Sequence, residues 1–142
     1  MKLIIKGTNS HLSEVEDWLR DEERTSGHSF ICNWAIIQKR HKNRQVWYVQ
    51  EKRSTVGLLA WGITGTKVHF EIFAIAPKFR HMGLGKKAIQ KAIEEVKSRS
   101  FTHIWLSCSP ESSEPFWRMF GFSDFPADGF WRPDHSLILP VK

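Results

Sequence analysis

The segment from residue 67 to residue 109 constrains the fold more than any other part of the chain. It begins with KVHFEIFAIA (67–76), a run of apolar, β-branched and aromatic residues that predicts a strand. Pro77 and two closely spaced glycines follow. Next, GKKAIQKAIEEVKSR (85–99) has apolar residues at helical spacing, and HIWLSCS (103–109) predicts a further strand. A strand, a helix and a strand in this order favour a crossover between parallel neighbours.

The other segments predict a mixed α/β (α+β) fold, with a mostly antiparallel central sheet flanked by helices. The length of 142 residues suits a single domain, residues 1–142. Ser13 and Glu16 fit a capping box at the start of the first helix. The 30–40 segment is assigned as a helix, although its adjacent isoleucines would also suit a strand. The predicted strands are 2–6, 45–51, 55–63 and 136–142, and the predicted helices are 13–23, 30–40 and 113–120.

Composition indicates a globular protein of the cytoplasm. Its two cysteines, Cys32 and Cys108, are expected to be reduced, and no apolar run approaches the roughly 20 residues of a membrane span. The formal net charge of +6 suits an anionic partner. The densest basic run, KRHKNR (39–44), is interpreted as a solvated loop, with nucleic-acid contact as the alternative. The seven histidines lack metal-ligand spacing, so no metal is expected.

The turn RHMGLGKK (80–87) predicts an anion site built mainly from backbone. Gly83 and Gly85 leave the chain unshielded, and the helix that follows offers unpaired N–H groups and a partial positive charge. Arg80, Lys86 and Lys87 add charge, and phosphate is the usual ligand of such a turn. A plain strand-to-helix turn, tightened by glycines, is the alternative without function.

Three phosphate-binding patterns can be compared with this turn. A Walker A loop fails, because Arg80 stands where its first glycine should be and Lys87 replaces its hydroxyl. Gly83, Gly85 and Ala88 match a dinucleotide-binding fingerprint, but six residues separate the predicted strand from the first glycine. The third pattern, R-x-x-G-x-G, is filled by Arg80, Gly83 and Gly85.

With its flanking segments, the third pattern resembles a known family. The run FEIFAIAPKFRHMGLGKKAIQKAI and the later FWRMFGF (116–122) are similar to the acyl-CoA-binding core of the GNAT N-acetyltransferases. The resemblance implies a GNAT-like fold and transfer of an acetyl group from acetyl-CoA to an amine.

The resemblance also implies how the cofactor would bind. Backbone N–H groups near residues 82–86 would hold the pyrophosphate, and a splayed strand 67–76 would pair with the pantetheine arm. Two loop serines would bond that arm and two aromatic residues would flank it. The implied cofactor-binding residues are Phe73, Ile75, Ala76, Arg80, His81, Met82, Gly83, Leu84, Gly85, Lys86, Ser109, Ser112, Phe116 and Trp117.

Two side chains are candidates for the general base that removes a proton from the amine. Glu71 lies on a strand expected to be central and buried on both faces, where an unpaired charge is costly. His69 shares its face two residues earlier, and Glu71 paired to a neighbouring strand is the structural alternative. Trp117 stands where the family commonly has a tyrosine acid, so it is expected to form a wall. An acyl-enzyme on Cys108 is a minor alternative.

The acceptor is the least constrained part of the prediction. Trp34, Phe130 and Trp131 are candidates for an aromatic wall, or for core, and Asp128 and Asp134 would attract a cationic amine. The acceptor would be a small-molecule amine, a peptide N-terminus or a lysine, and the family implies a possible homodimer. A non-catalytic acyl-CoA-binding module and, less favoured, a nucleic-acid-binding protein are the competing functions.

Overall fold

The chain forms a mixed sheet with helices. The computed structural model describes residues 1–108, 110–125 and 136–142. They fall into two compact units: a first unit of Met1–Trp61 and Ile72–Ala92, and a second of Gly62–Glu71 and Ile93–Lys142. The helices are α1 (Asn9–Ser26), α2 (Trp34–Lys42), α3 (Leu84–Lys97) and α4 (Glu114–Arg118). The strands are β1 (Lys2–Ile4), β2 (Val46–Glu51), β3 (Ser54–Thr64), β4 (Lys67–Ile75), β5 (His103–Ser107), β6 (Ser123–Asp124) and β7 (Ser136–Pro140).

The sheet topology confirms the predicted fold class. The strand order is β1-β2-β3-β4-β5-β7-β6. The β1–β2, β2–β3, β5–β7 and β6–β7 pairs are antiparallel. β4 and β5 are parallel and are connected by α3, so the crossover predicted from the order of elements is confirmed. Within the part of the chain that the structure describes, no helix is long and apolar enough to cross a membrane.

Helix α1 begins earlier than predicted. Its N-cap is Thr8, whose backbone N–H donates to His11 Nδ1 at 2.9 Å in a capping box. The predicted box at Ser13 and Glu16 is therefore wrong, and Ser13 lies inside the helix. The helix gains this extra turn because the partly buried Leu12 packs against the same core as the fully buried Val15.

Helix α2 includes most of the basic run. The helix predicted over 30–40 is confirmed from Trp34 onward, and a 3₁₀ turn at Phe30–Asn33 precedes it. Lys39–Lys42 form its last turn, so the expectation of a loop there is wrong. Cations in the last turn of a helix interact favourably with the partial negative charge of its C-terminus. This gives the run a structural explanation without nucleic acid.

A buried tyrosine ties these helices to the sheet. The Tyr48 hydroxyl lies 2.8 Å from His41 Nδ1, and His41 Nε2 lies 3.1 Å from Asn9 Oδ1. The ring of His11 stacks on Tyr48 at 5.4 Å. Gly7 passes so close to the Tyr48 ring that an added Cβ would overlap it, so only glycine fits there.

This network predicts a loss of stability in acid. Burial, and secondarily the nearby His11, lower the pKa of His41 from its ordinary value of 6.5. Because the unfolded chain then binds the proton more readily than the folded one, the free energy of unfolding should fall as the pH drops below about 6.5. His41→Gln should reduce this pH dependence in urea unfolding measured between about pH 7.5 and 5.

The exposed His28 supplies the matched control. His28→Gln should leave the acid sensitivity at its wild-type value. A His41→Gln variant that loses stability in acid as steeply as the wild type would exclude His41 as the cause.

Candidate active site

The turn between β4 and α3 is fixed by the packing of its two ends. After Ile75 the chain makes a 3₁₀ turn at Pro77–Phe79, and α3 starts at Leu84. Leu84 and Ala88 are buried and belong to one cluster with Ile75 and the β3 residue Val56. The first turn of α3 is therefore held at the end of the sheet where β4 finishes.

The backbone of this turn carries unused hydrogen-bond donors. Within the described residues, the N–H groups from Met82 to Lys86 donate no hydrogen bond, and the first helical bond joins Lys87 N to Gly83 O at 3.2 Å. Gly83 has φ 79°, and an added Cβ would meet nothing within 4 Å. Open space, donors and the positive end of a helix are the features that an anion site requires.

Arg80 is held by the protein itself. Its Nε donates to the Ile75 carbonyl at 2.7 Å, and Nη1 lies 2.8 Å from Glu22 Oε2. The charge expected to surround the anion is thus shared with a carboxylate, whereas Lys86 and Lys87 are exposed. His81 takes the left-handed conformation at φ 63°, which turns the chain before Gly83.

Gly57 on β3 is a positioning residue that the sequence analysis missed. A Cβ there would lie 2.7 Å from Ile75 Cδ1 and 2.9 Å from the Ala74 carbonyl oxygen. Glycine thus lets β3 run close to the last residues of β4. The available signal was a glycine inside an otherwise apolar strand, which commonly marks a close backbone approach.

The two candidate bases lie on the half-buried face of β4. Buried and half-buried residues alternate from Lys67 to Ala74, with Glu71 and His69 both half-buried. The expectation that this strand is buried on both faces is therefore wrong, although one carboxylate oxygen of Glu71 is itself buried. Parallel pairing with β5 covers only Lys67–His69, whereas β4 continues to Ile75.

The ring of His69 is fixed by an aromatic stack. It lies parallel to Trp105, with ring centroids 3.7 Å apart and an interplanar angle of 4°. Phe125 meets Trp105 edge-on at 6.0 Å. One face of the imidazole is covered by this contact, which constrains the plane of the ring.

Trp117 belongs to an aromatic cluster in the second unit. It is 7% exposed, and its ring contacts Phe116 at 5.0 Å and Phe122 at 5.8 Å. Phe70 and Phe120 complete the cluster at 6.4 and 6.5 Å. These contacts give Trp117 a packing role, and they also explain why a buried phenylalanine follows Gly121 in the GF pair.

Of the remaining candidate site residues, some lie in the part of the chain that the structure describes and others do not. Trp34 is half-buried against the core of the first unit, Ser112 is exposed, and Phe116 is half-buried. Five candidates lie outside the described residues: the cofactor candidate Ser109 and the acceptor candidates Asp128, Phe130, Trp131 and Asp134. Within residues 1–108, 110–125 and 136–142, no group of three or more His, Cys, Asp or Glu side chains could hold a metal ion.

Sequence comparison identifies the family. A sequence model described as the acetyltransferase (GNAT) family matches residues 12–122, which is most of the chain. This chain belongs to the GNAT acetyltransferase family. The GNAT match includes β4, the glycine turn, α3 and the aromatic cluster. A search of curated protein sequences finds no match.

Solved structures show the same GNAT fold. A GNAT-family acetyltransferase from Staphylococcus aureus Mu50 is 16% identical, with 99% of each chain covered and a TM-score of 0.73. The ribosomal-protein-S18-alanine N-acetyltransferase from Escherichia coli is 14% identical, with 99% of this chain and 93% of that chain covered and a TM-score of 0.73. The PaiA N-acetyltransferase from Thermoplasma acidophilum, in complex with coenzyme A, is 16% identical, with 97% of both chains covered and a TM-score of 0.69.

The environment of Cys108 disfavours an acyl-enzyme. The thiol is 7% exposed, and burial followed by the charge of Glu114 raises its pKa. A raised pKa leaves little of the nucleophilic thiolate at neutral pH.

Cys108→Ala is therefore expected to retain wild-type turnover. Mass spectrometry of the wild-type protein with acetyl-CoA should show no mass increase of one acetyl group on Cys108, and a transient one would contradict this expectation.

Proposed function

We propose that this chain is an acetyl-CoA-dependent N-acetyltransferase that transfers the acetyl group to a primary amine by direct attack in a ternary complex. The observation that supports this most is the row of N–H groups from Met82 to Lys86, which donate no hydrogen bond in the described residues. A diphosphate matches them because each anionic oxygen accepts hydrogen bonds from amides at a helix N-terminus.

The co-substrate would be held by backbone from two consecutive segments. His81 to Lys86 would surround the pyrophosphate, with Lys86 adding charge from the exposed surface. The backbone of Phe73, Ile75 and Ala76 would pair with the pantetheine arm. Ser109 and Ser112 would bond the same arm and Phe116 would flank it, as the family resemblance implies. When bound, acetyl-CoA supplies an acyl group activated as a thioester.

Glu71 is our first choice for the general base. An alkylammonium has a pKa near 10, so the acceptor must lose a proton before its nitrogen can attack. A half-buried carboxylate two residues before Phe73 can accept that proton directly or through water. His69 is the second choice, and its stack on Trp105 would keep its ring in one orientation. Positioned bases of this kind typically accelerate proton transfer by roughly 10²- to 10⁴-fold.

The remaining steps need few side chains. Backbone N–H groups of β4 would stabilise the oxyanion that forms as the amine attacks. The leaving thiolate has a conjugate pKa near 8.5, so solvent can protonate it without a dedicated acid. This fits the packing role of Trp117, whose indole N–H does not readily give up a proton.

We propose the chemical class of the acceptor, an amine, because the family acts on amines. Relatives include an enzyme whose name specifies a ribosomal protein as acceptor. We therefore propose a small amine, a peptide N-terminus or a lysine, with Trp34, Phe130 and Trp131 as candidate contacts and a homodimer as a possible assembly. Both cysteines are free, which is consistent with the reducing cytoplasm that we propose as its location.

A non-catalytic acyl-CoA-binding module is the second candidate. The observation that favours it is Trp117 at the position where the family commonly has its acid. Such a module would bind acetyl-CoA and turn over none of a broad panel of amines. Nucleic-acid binding rests on the net charge of +6 and the basic run 39–44, and would be recognised by salt-sensitive retention of RNA or DNA.

Blocking the glycine turn should abolish binding of acetyl-CoA. An indole at residue 83 would occupy the open space in front of the free N–H groups. Gly83→Trp is therefore expected to eliminate the heat of acetyl-CoA binding in titration calorimetry, which the wild type should show at micromolar to millimolar ligand.

Gly27 provides a control with the same backbone conformation. Its φ is 78° and it also has nothing within 4 Å of an added Cβ, so Gly27→Trp introduces equal strain at the end of α1. Binding should survive in Gly27→Trp. A wild type that binds no acetyl-CoA at millimolar concentration, or a Gly83→Trp variant that binds normally, would contradict the proposed site.

Removing the proposed base should slow the chemical step selectively. Glu71→Gln keeps the shape of the side chain and removes its basicity, so kcat should fall by roughly 10²-fold or more while the Kd of acetyl-CoA stays near its wild-type value. The measurement is steady-state turnover with the best amine of a screened panel, alongside calorimetry.

His69→Gln in the same assay separates the two candidates. If Glu71→Gln turns over at the wild-type rate and His69→Gln does not, the base is His69. If both variants keep wild-type turnover, neither side chain is the base and deprotonation occurs in solvent.

A further inference from the structure

We propose that Glu22 on α1 is a positioning residue for the cofactor turn and acts through Arg80. Arg80 belongs to the R-x-x-G-x-G pattern, and a pattern of this kind suggests a cation for the phosphates. The contacts of its side chain favour a different role. This inference rests on the proposed binding of acetyl-CoA and adds a residue far from the motif in sequence.

The guanidinium of Arg80 connects two elements. Its Nε donates to the carbonyl of Ile75, the last residue of β4, at 2.7 Å. Its Nη1 forms an ion pair with Glu22 Oε2 at 2.8 Å. Because a guanidinium is planar, bonds from two of its nitrogens fix both the position and the direction of the group. The turn that starts at Arg80 is thereby anchored to the strand behind it and to α1.

The Glu22 carboxylate, which completes this connection, is largely buried, and burial restricts its motion. The Glu22 side chain is 12% exposed, whereas that of Arg80 is 39% exposed. Two other acidic side chains of α1 pair within the helix, Glu16 with Arg20 and Asp21 with Arg24. Glu22 instead reaches across to the turn, so it links two elements that are separate in sequence.

Helix α1 is itself tied to the neighbouring strand. Glu14 Oε2 accepts from the Thr55 N–H at 2.9 Å, and Trp18 Nε1 donates to the Thr55 carbonyl at 3.0 Å. The next residue, Val56, accepts from the Ala76 N–H at 2.7 Å, directly after β4. The helix that carries Glu22 therefore cannot shift without disturbing the strand that borders the turn.

Two roles for Arg80 predict opposite effects of removing Glu22. If Arg80 binds the diphosphate, Glu22 competes for its charge, and Glu22→Ala should tighten acetyl-CoA binding. If Arg80 holds the turn in place, Glu22→Ala frees the guanidinium and lets the amides of residues 82–86 lose their alignment. Binding should then weaken, because amides that are out of alignment donate weaker hydrogen bonds to the diphosphate.

The first test is calorimetry with acetyl-CoA. We expect Glu22→Ala to raise the Kd about tenfold, while Glu22→Gln, which keeps an oxygen acceptor for Nη1, retains most of the affinity. Glu23→Ala removes an exposed carboxylate from the next position and should leave the Kd unchanged. The double variant of Glu22→Ala with Arg80→Ala should bind no more weakly than Arg80→Ala alone. Unchanged or tighter binding by Glu22→Ala would overturn the positioning role.

The second test does not depend on acetyl-CoA. The hydrogen-bonded amides that border the turn are those of Ala76, Phe79, Arg80 and Lys87. In the ligand-free protein their hydrogen exchange should be faster in Glu22→Ala than in the wild type, and unchanged in Glu23→Ala. Exchange at the wild-type rate in Glu22→Ala would overturn the proposal. A wild type that fails to bind acetyl-CoA would overturn the proposed function, and faster exchange in Glu22→Ala would still support the anchoring of the turn by Glu22.

Discussion

The central feature of the structure is a row of backbone amides, Met82 to Lys86, for which the described residues provide no acceptor. They arise where β4 ends and α3 begins, because the first N–H groups of a helix have no carbonyl before them. Burial of Leu84 and Ala88 holds that helix end against the sheet, and the left-handed Gly83 keeps side chains away from it. The exposed residues of this row can donate to water, and an anionic ligand can replace that water with charge-assisted hydrogen bonds.

In the turn between β4 and α3, the backbone and the side chains have different roles. We propose that the amides recognise the ligand, whereas Arg80 bonds to the Ile75 carbonyl and to Glu22 and so holds the turn. The exposed Lys86 and Lys87 remain to attract charge at longer range. Glu71 and His69 share the half-buried face of β4, and we propose them as the two candidate bases. The cofactor turn can therefore be well defined even though the acid commonly found in the family is absent.

Local pattern predicted the strand, the glycine turn and the long helix, because each is determined by residues adjacent in sequence. It failed where the answer depends on tertiary contacts. The capping box lies at Thr8 and His11 rather than at Ser13, since the core that Leu12 joins extends the helix by a turn. The half-buried face of β4 depends on which elements cover it. The ion pair between Arg80 and Glu22 joins segments that are distant in sequence, so a local sequence pattern cannot predict it.

The most direct test of the account is a titration of ¹⁵N-labelled protein with coenzyme A, followed by amide chemical shifts. The largest shifts, and the strongest protection from exchange, should fall on the five amides from Met82 to Lys86, with smaller changes at Phe73 and Ile75. Saturable binding that leaves those five amides at their ligand-free positions, and instead moves residues elsewhere, would contradict the central claim that free backbone donors at the start of α3 hold the diphosphate.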